Sequence, residues 1–213
     1  MIENQRDYQY YLEADRIALG RPEKAKLRRT LISAFIAPDY VWQFQKLLRK
    51  VEFLKNCNNN NPLMLLEYAF YYRKFLDLSL KLGFLIEPNT FGPGLSISHP
   101  ACLLVNSGAR IGANCRIHPL VTIGTQPGLS DRAARMGDNI YIGPGARIYG
   151  PVEIADNIVI GANAVVTRSF TEPGITIAGV PAKKISDKGS EGLIIKATEI
   201  LNNSRTARRL VEH

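Results

Sequence analysis

From Ile111 onward an aliphatic residue returns at every sixth position: Ile111, Ile117 and Ile123, then, after an interruption, Met136, Ile142, Ile148, Ile154 and Ile160. The fifth position of each unit is small or β-branched, as at Cys115, Val121, Ile140, Ala146, Val152, Ile158 and Ala164. Earlier units start at Phe91, Ile97 and Leu103, and a two-residue slip to Val105 restores the frame. An α-helix would space its apolar face at about 3.6 residues and would not tolerate so much glycine, while a hairpin sheet would alternate over longer runs. Two inward positions per six residues, with Gly, Asn and Asp between them, describe a short strand followed by a corner. Three such units close one triangular coil of about 18 residues, and coils stack at the strand spacing of about 4.8 Å. Residues 91–182 therefore predict a parallel β-helix of about five coils.

The flanks read differently. Residues 8–19 suit a helix stopped by Gly20 and Pro22, and Asp39 after Pro38 suits the N-cap of a second. Val41, Phe44, Leu48 and Val51 give that second helix one apolar face, ending near Leu54. An asparagine run before Pro62 reads as a loop, and a long third helix runs from there to Gly83. Beyond Pro181 a polar link leads into a terminal helix from about Glu191. The resulting division is a helical region at 1–84, the β-helix at 85–184, and a linker with a C-terminal helix at 185–213.

Charge follows the same division. Residues 1–90 carry 14 basic and 10 acidic groups, 91–182 carry 6 and 5, and 183–213 carry 7 and 4. No lysine occurs between Lys81 and Lys183, so the formal +8 sits on the flanks and forms no basic stripe interleaved with aromatics. Nucleic acid is not an expected partner. The most apolar stretch, 62–83, is broken by Glu67, Arg73, Lys74, Asp77 and Lys81, so no membrane span is expected. The N-terminus shows no secretory signal pattern, and Cys57, Cys102 and Cys115 lack metal or disulfide spacing. A cytoplasmic chain with reduced thiols is the expectation.

Three histidines are available, and His213 is terminal. His99 and His118 each follow an inward isoleucine within two residues and precede a proline. They stand 19 residues apart, about one coil plus the slip, so the spacing predicts two imidazoles on one face in adjacent coils. A zinc site would want three or four ligands, and no third partner is in view; no metal is expected.

Several segments together resemble the hexapeptide-repeat acyltransferases, and serine O-acetyltransferases among them. These are 91–99 ending in Ser98-His99, 104–112, 121–125, 142–146, 160–166, and 178–184 ending in Lys183-Lys184. The resemblance implies a left-handed prism, a homotrimer with sites between subunits, and acetyl-CoA as co-substrate. It places the catalytic histidine on His99, with Ser98 where that family carries Asp. It places acceptor-binding residues on Asp131 and Arg132 and, through the segment around Ala14, on Asp15, while Ala133 stands where the family has a further His. His118 would be a second imidazole facing the acceptor. The family's orienting carboxylate has no counterpart, since Phe84 occupies its position and Glu87 is the nearest acid.

The chemistry so implied is concerted. A neutral imidazole takes the proton of an attacking hydroxyl, and backbone N–H groups at Gly124 and Thr125 are candidate donors to the oxyanion. The pantetheine arm would lie along small corner residues such as Gly143, Gly145 and Ala162, with Lys183 and Lys184 meeting the phosphates. Cys102 and Cys115 have no neighbouring cation in sequence to activate a thiolate. Two further readings stay open at this point. One is a sugar hydroxyl of surface polysaccharide as acceptor, served by Ser96, Ser98 and Asn106; the other is a scaffold solenoid without catalysis.

Overall fold

The computed structural model describes residues 1–21, 38–58, 61–126 and 132–211, with side chains described as far as Ser204. Helix α1 (Gln5–Ala18) starts three residues earlier than expected because the Asn4 side chain accepts from the Arg6 and Asp7 N–H groups and caps it. Helix α2 (Tyr40–Asn56) is capped as read, with Asp39 accepting from Trp42 N–H at 3.0 Å. Helix α3 (Pro62–Leu82) opens on proline and closes on Gly83 in the left-handed region at φ 72°. Among the described residues no helix is long and apolar enough to cross a membrane.

The six-residue frame becomes three columns of inward side chains. One runs Ile86, Val105, Ile123, Ile148, Val166. The second runs Phe91, Ile111, Met136, Ile154, Phe170. The third runs Ile97, Ile117, Ile142, Ile160, Ile177. Each rung pairs in parallel with the next, so the predicted parallel β-helix is observed, and its first coil begins earlier than the frame indicated, at the strand Phe84–Ile86. The corners turn on asparagine: Asn114, Asn139, Asn157 and Asn163 all take positive φ between 55° and 60°, a conformation Asn tolerates. Their amides form a ladder, Asn114 to Asn139 at 2.9 Å and Asn139 to Asn157 at 3.0 Å.

Both ends of the solenoid are covered. At the far end Lys183–Ser186 forms an antiparallel strand against Thr176–Ala178, where the sequence suggested a polar link. The terminal helix α4 (Ala197–Val211) starts later than expected. It docks through Ala197 onto Ala14 and Ala18 of α1 and through Thr198 onto Asn114. The interruption of the repeat ends before Arg135, because Arg135–Met136 is already a strand paired on both sides.

At the near end, side chains of α1 and α2 take the hydrogen bonds that a further coil would have made. Gln45, fully buried, donates to Leu95 O at 2.7 Å and accepts from Ile97 N–H at 3.4 Å. Asp15 accepts from Gly94 N–H and Leu95 N–H at 2.9 and 2.8 Å. Arg49 donates to Phe91 O and Gly92 O at 2.9 and 2.7 Å, and Glu52 accepts from Asn89 N–H at 2.7 Å. A sheet edge without such partners would expose a row of unpaired backbone groups.

Candidate active site

His99 stands two residues past Ile97, at the corner that ends the first coil, exposed to solvent. Its ring has no hydrogen-bond partner among the described residues. His118 differs in every respect. It is half-buried, its Nδ1 lies 3.0 Å from Ile142 O, and its Nε2 lies 3.4 Å from the Tyr141 hydroxyl. The carbonyl can only accept, so Nδ1 carries the proton and Nε2 is left to accept from Tyr141. Burial holds the His118 pKa below the ordinary histidine value; the Ile142 carbonyl opposes this, and Arg116 and His99 add to it. The neutral form, engaged at both nitrogens, leaves His118 little capacity to act as a base.

The two histidines lie near one another but are not equivalent rungs. Ile97 pairs with Ile117, and Ser98 N–H donates to Ile117 O, so Ser98 stands over His118 and His99 is one residue out of step. The sequence spacing overlooked that offset. One residue past each inward aliphatic of the third column runs a file of Ser98, His118, Gly143, Gly161 and Ala178, polar near His99 and small below it. The antiparallel strand brings Lys183 opposite Ala178 at its lower end.

The other expected residues divide into those near this file and those elsewhere. Asp15 is not available to an acceptor: it is fully buried and bonded to Arg49 and two backbone N–H groups. Burial raises its pKa, and Arg49 and the Leu95 N–H pull against that. Asp131 lies outside the described residues, and Arg132 is exposed where they resume. Gly124 sits in the strand Thr122–Gly124, in register with Tyr149, and Thr125 is half-buried just beyond it. Gly143 is buried, because a Cβ there would come within 2.7 Å of Ala162 N; its smallness serves coil stacking, and only the neighbouring Ala162 is exposed. Lys184 is already paired with Glu172 and Asp187, each at 2.6 Å, so the two lysines do not act alike. Lys183 is exposed, with no ion pair among the described residues. Asn106 is engaged in its own turn, accepting from Gly108 N–H, and burial pushes the Cys115 thiol well up, out of nucleophile range.

A cavity of about 280 Å³ is lined by Ser98 and Pro100, the chain neighbours of His99, and by Arg116, Arg21 and Asp39; His99 itself is not among its described lining residues. The sequence reading did not single out the two arginines. Arg116 was within its reach, since it occupies the outward position just before the inward Ile117; Arg21 comes from the end of a distant helix and carried no such signal.

Comparison with known proteins agrees with the repeat and with the motifs. Residues 133–168 match the family described as Bacterial transferase hexapeptide (six repeats). The serine acetyltransferase of Synechococcus elongatus is 31% identical over 112 residues, 52% of this chain and 46% of that protein. The chain spans about half the length of the curated relatives it matches. Among solved structures, the serine acetyltransferase of Brucella abortus in complex with Coenzyme A superposes with a TM-score of 0.67 at 24% identity, over 87% of this chain and 70% of that one. At that identity the likeness is one of fold. The Neisseria gonorrhoeae serine acetyltransferase in complex with serine gives 0.62 at 27% identity, over 84% and 69%. The resemblance to hexapeptide-repeat acyltransferases and serine acetyltransferases is therefore carried by sequence and fold together.

Proposed function

We propose that this chain transfers the acetyl group of acetyl-CoA to the hydroxyl of a small, serine-like acceptor, with His99 as general base. The observation that carries the reading is the contrast between the two histidines: His118 is engaged at both nitrogens, whereas His99 presents a solvent-exposed ring, unengaged among the described residues, at the head of a file of small residues. The acceptor hydroxyl adds to the thioester carbon as its proton passes to His99. The tetrahedral oxyanion is held by N–H groups near Gly124 and Thr125, and its collapse expels the CoA thiolate, which takes the proton back from the imidazolium.

Four coil steps separate Ser98 from Ala178, about 19 Å at the strand spacing. A long thin pantetheine arm laid along this file would bring its phosphates to Lys183, with Ala162 exposed along the way. Exposed Leu85, Leu104 and Leu120 support self-association of left-handed prisms into a trimer. Arg132, within the repeat's interruption, would then face a neighbouring subunit's acceptor. The division at 84/85 and 184/185 and a cytoplasmic location belong to the same reading. Release of free thiol from acetyl-CoA, followed in the presence of L-serine, L-homoserine, free sugars and nucleotide sugars, tests it. Turnover with L-serine is expected; none with any acceptor overturns the proposal, and turnover with sugars alone replaces the acceptor.

A further inference from the structure

We propose that the cavity lined by Ser98 and Pro100 is a monoanion site, in which Arg116 and Arg21 hold the carboxylate of the acceptor and no described lining residue reads an α-ammonium. This rests on the acetyl-transfer reading for its hydroxyl, but the binding site itself stands on separate observations. The strand Arg116–Ile117 places Arg116 outward, in register with Ser96. Its guanidinium makes one long bond, 3.3 Å to Ser96 Oγ, and no ion pair among the described residues. Arg21, just beyond α1, pairs with Asp39 and lies over the Trp42 ring at 5.9 Å, while its Nε is buried without a partner among the described residues. Ser98 Oγ is likewise buried without a partner among the described residues. Two unpartnered polar atoms and one underused guanidinium thus line a single cavity whose other walls include the apolar Leu19 and Val41. Buried donors left unpaired are costly, and an oxyanion ligand supplies acceptors for them.

The charge count sets the ligand's charge. Among the described residues two guanidinium groups and one carboxylate line the cavity, leaving one positive charge for the ligand to balance, which suits a carboxylate better than a phosphate dianion. Among the described residues an ammonium finds no counterpart. Asp39 is the described lining carboxylate, and its oxygens are committed to Trp42 N–H and to Arg21. Asp15 is sealed elsewhere, and Ser98 offers a neutral hydroxyl. At about 280 Å³ the cavity lies at the small end for ligand sites, so it fits a short hydroxy acid. L-serine is one member of that class, and glycerate is another.

Titration calorimetry on the intact protein with glycerate, L-serine, glycerol, serinol and glycerol 3-phosphate tests the proposal. Glycerate and L-serine should bind within about threefold of each other, and the uncharged or cationic analogues at least tenfold more weakly. Arg116→Gln should weaken both carboxylates by at least tenfold, with Arg116→Lys between; Arg21→Gln is the second variant should the first lose its fold. Glycerol binding as well as glycerate, serine exceeding glycerate by more than tenfold, a preference for glycerol 3-phosphate, no binding of either carboxylate, or indifference to Arg116→Gln would each overturn it. Thiol release separates the two proposals. Carboxylate binding without turnover sustains this site and removes the transferase reading; serine turnover unaffected by Arg116→Gln does the reverse.

Discussion

Asp15 and Arg49 face each other in a two-point pair, Nε to Oδ2 at 2.9 Å and Nη2 to Oδ1 at 3.2 Å, on side chains with no solvent exposure. Burial works against the Arg49 charge, and Asp15 and Glu52 more than offset it, so its pKa is raised. Because the same atoms also hold the backbone of the first coil, the pair ties α1 and α2 to the β-helix four residues before His99. Removing one partner leaves a buried charge uncompensated. Asp15→Ala and Arg49→Ala should each cost about 3–5 kcal/mol, and Asp15→Leu with Arg49→Met together should not recover that loss, because Glu52 and the first-coil backbone groups are then left unpaired. Urea midpoints check this, and single variants losing under about 1 kcal/mol would reduce the pair to an ordinary surface bridge.

If His99 is the base, His99→Ala should lower turnover by about two to four orders of magnitude with CoA affinity little changed. His118→Ala should fall less, since both its nitrogens are already occupied by Ile142 O and Tyr141. Steady-state rates and a CoA titration on both variants decide, and the reverse ranking would move the base to His118.

The sequence carried the β-helix because its signal is local and repeated: each inward residue from Ile111 to Ile160 has a counterpart six positions away. The corner asparagines were legible for the same reason. What escaped notice had no period to announce it. Phe84–Ile86 alternates but stands alone before the frame, and Lys183–Ser186 is outward-facing along most of its length, so it shows no buried alternation. Asp15 is assigned to the acceptor by family resemblance alone, and its buried pair with Arg49, spanning 34 positions, leaves no mark in either segment. Arg21 and Arg116 were brought to one cavity by helix docking, which the spacing of neither segment encodes.

His118 gives the stability a pH dependence. Its folded pKa lies below the unfolded value of about 6.5, so below that pH the unfolded chain binds the extra proton more readily than the folded one. The contribution is fully present above about pH 6.5 and is lost as pH falls through the folded value. The thermal midpoint of the unmutated protein should therefore drop more steeply than that of His118→Gln between pH 7.5 and 5. Parallel curves for the two proteins would mean that His118 titrates alike folded and unfolded.

The two lysines should separate in CoA binding. Lys184 is held by Glu172 and Asp187, and its pKa is raised by hydrogen bonds to Asp187 and Glu172, so its charge is already neutralised locally. Lys183→Ala should weaken CoA binding, more at low salt than at high, whereas Lys184→Ala should do so less. Isothermal titration at two ionic strengths measures both. Equal losses would show that Glu172 and Asp187 release Lys184 when CoA binds.

Gly143 makes the last test, because it lies between the stacking of the coils and the file that leads from His99 to Lys183. A methyl group there would come within 2.7 Å of Ala162 N and 2.9 Å of Ile160 O. Both are backbone atoms of the next coil, not the movable end of a side chain. That approach is fixed by the ladder itself, with Gly143 N–H donating to Ile160 O at 2.8 Å and Tyr141 N–H to Ile158 O at 3.0 Å. Relief requires parting the coils at this corner, and overpacking of that kind costs about 1–3 kcal/mol. Gly143→Ala should therefore lower the unfolding midpoint and, if the pantetheine arm follows the file, weaken CoA binding as well. A lowered midpoint with unchanged CoA affinity would keep the glycine as a stacking residue and move the cofactor track to another face of the prism.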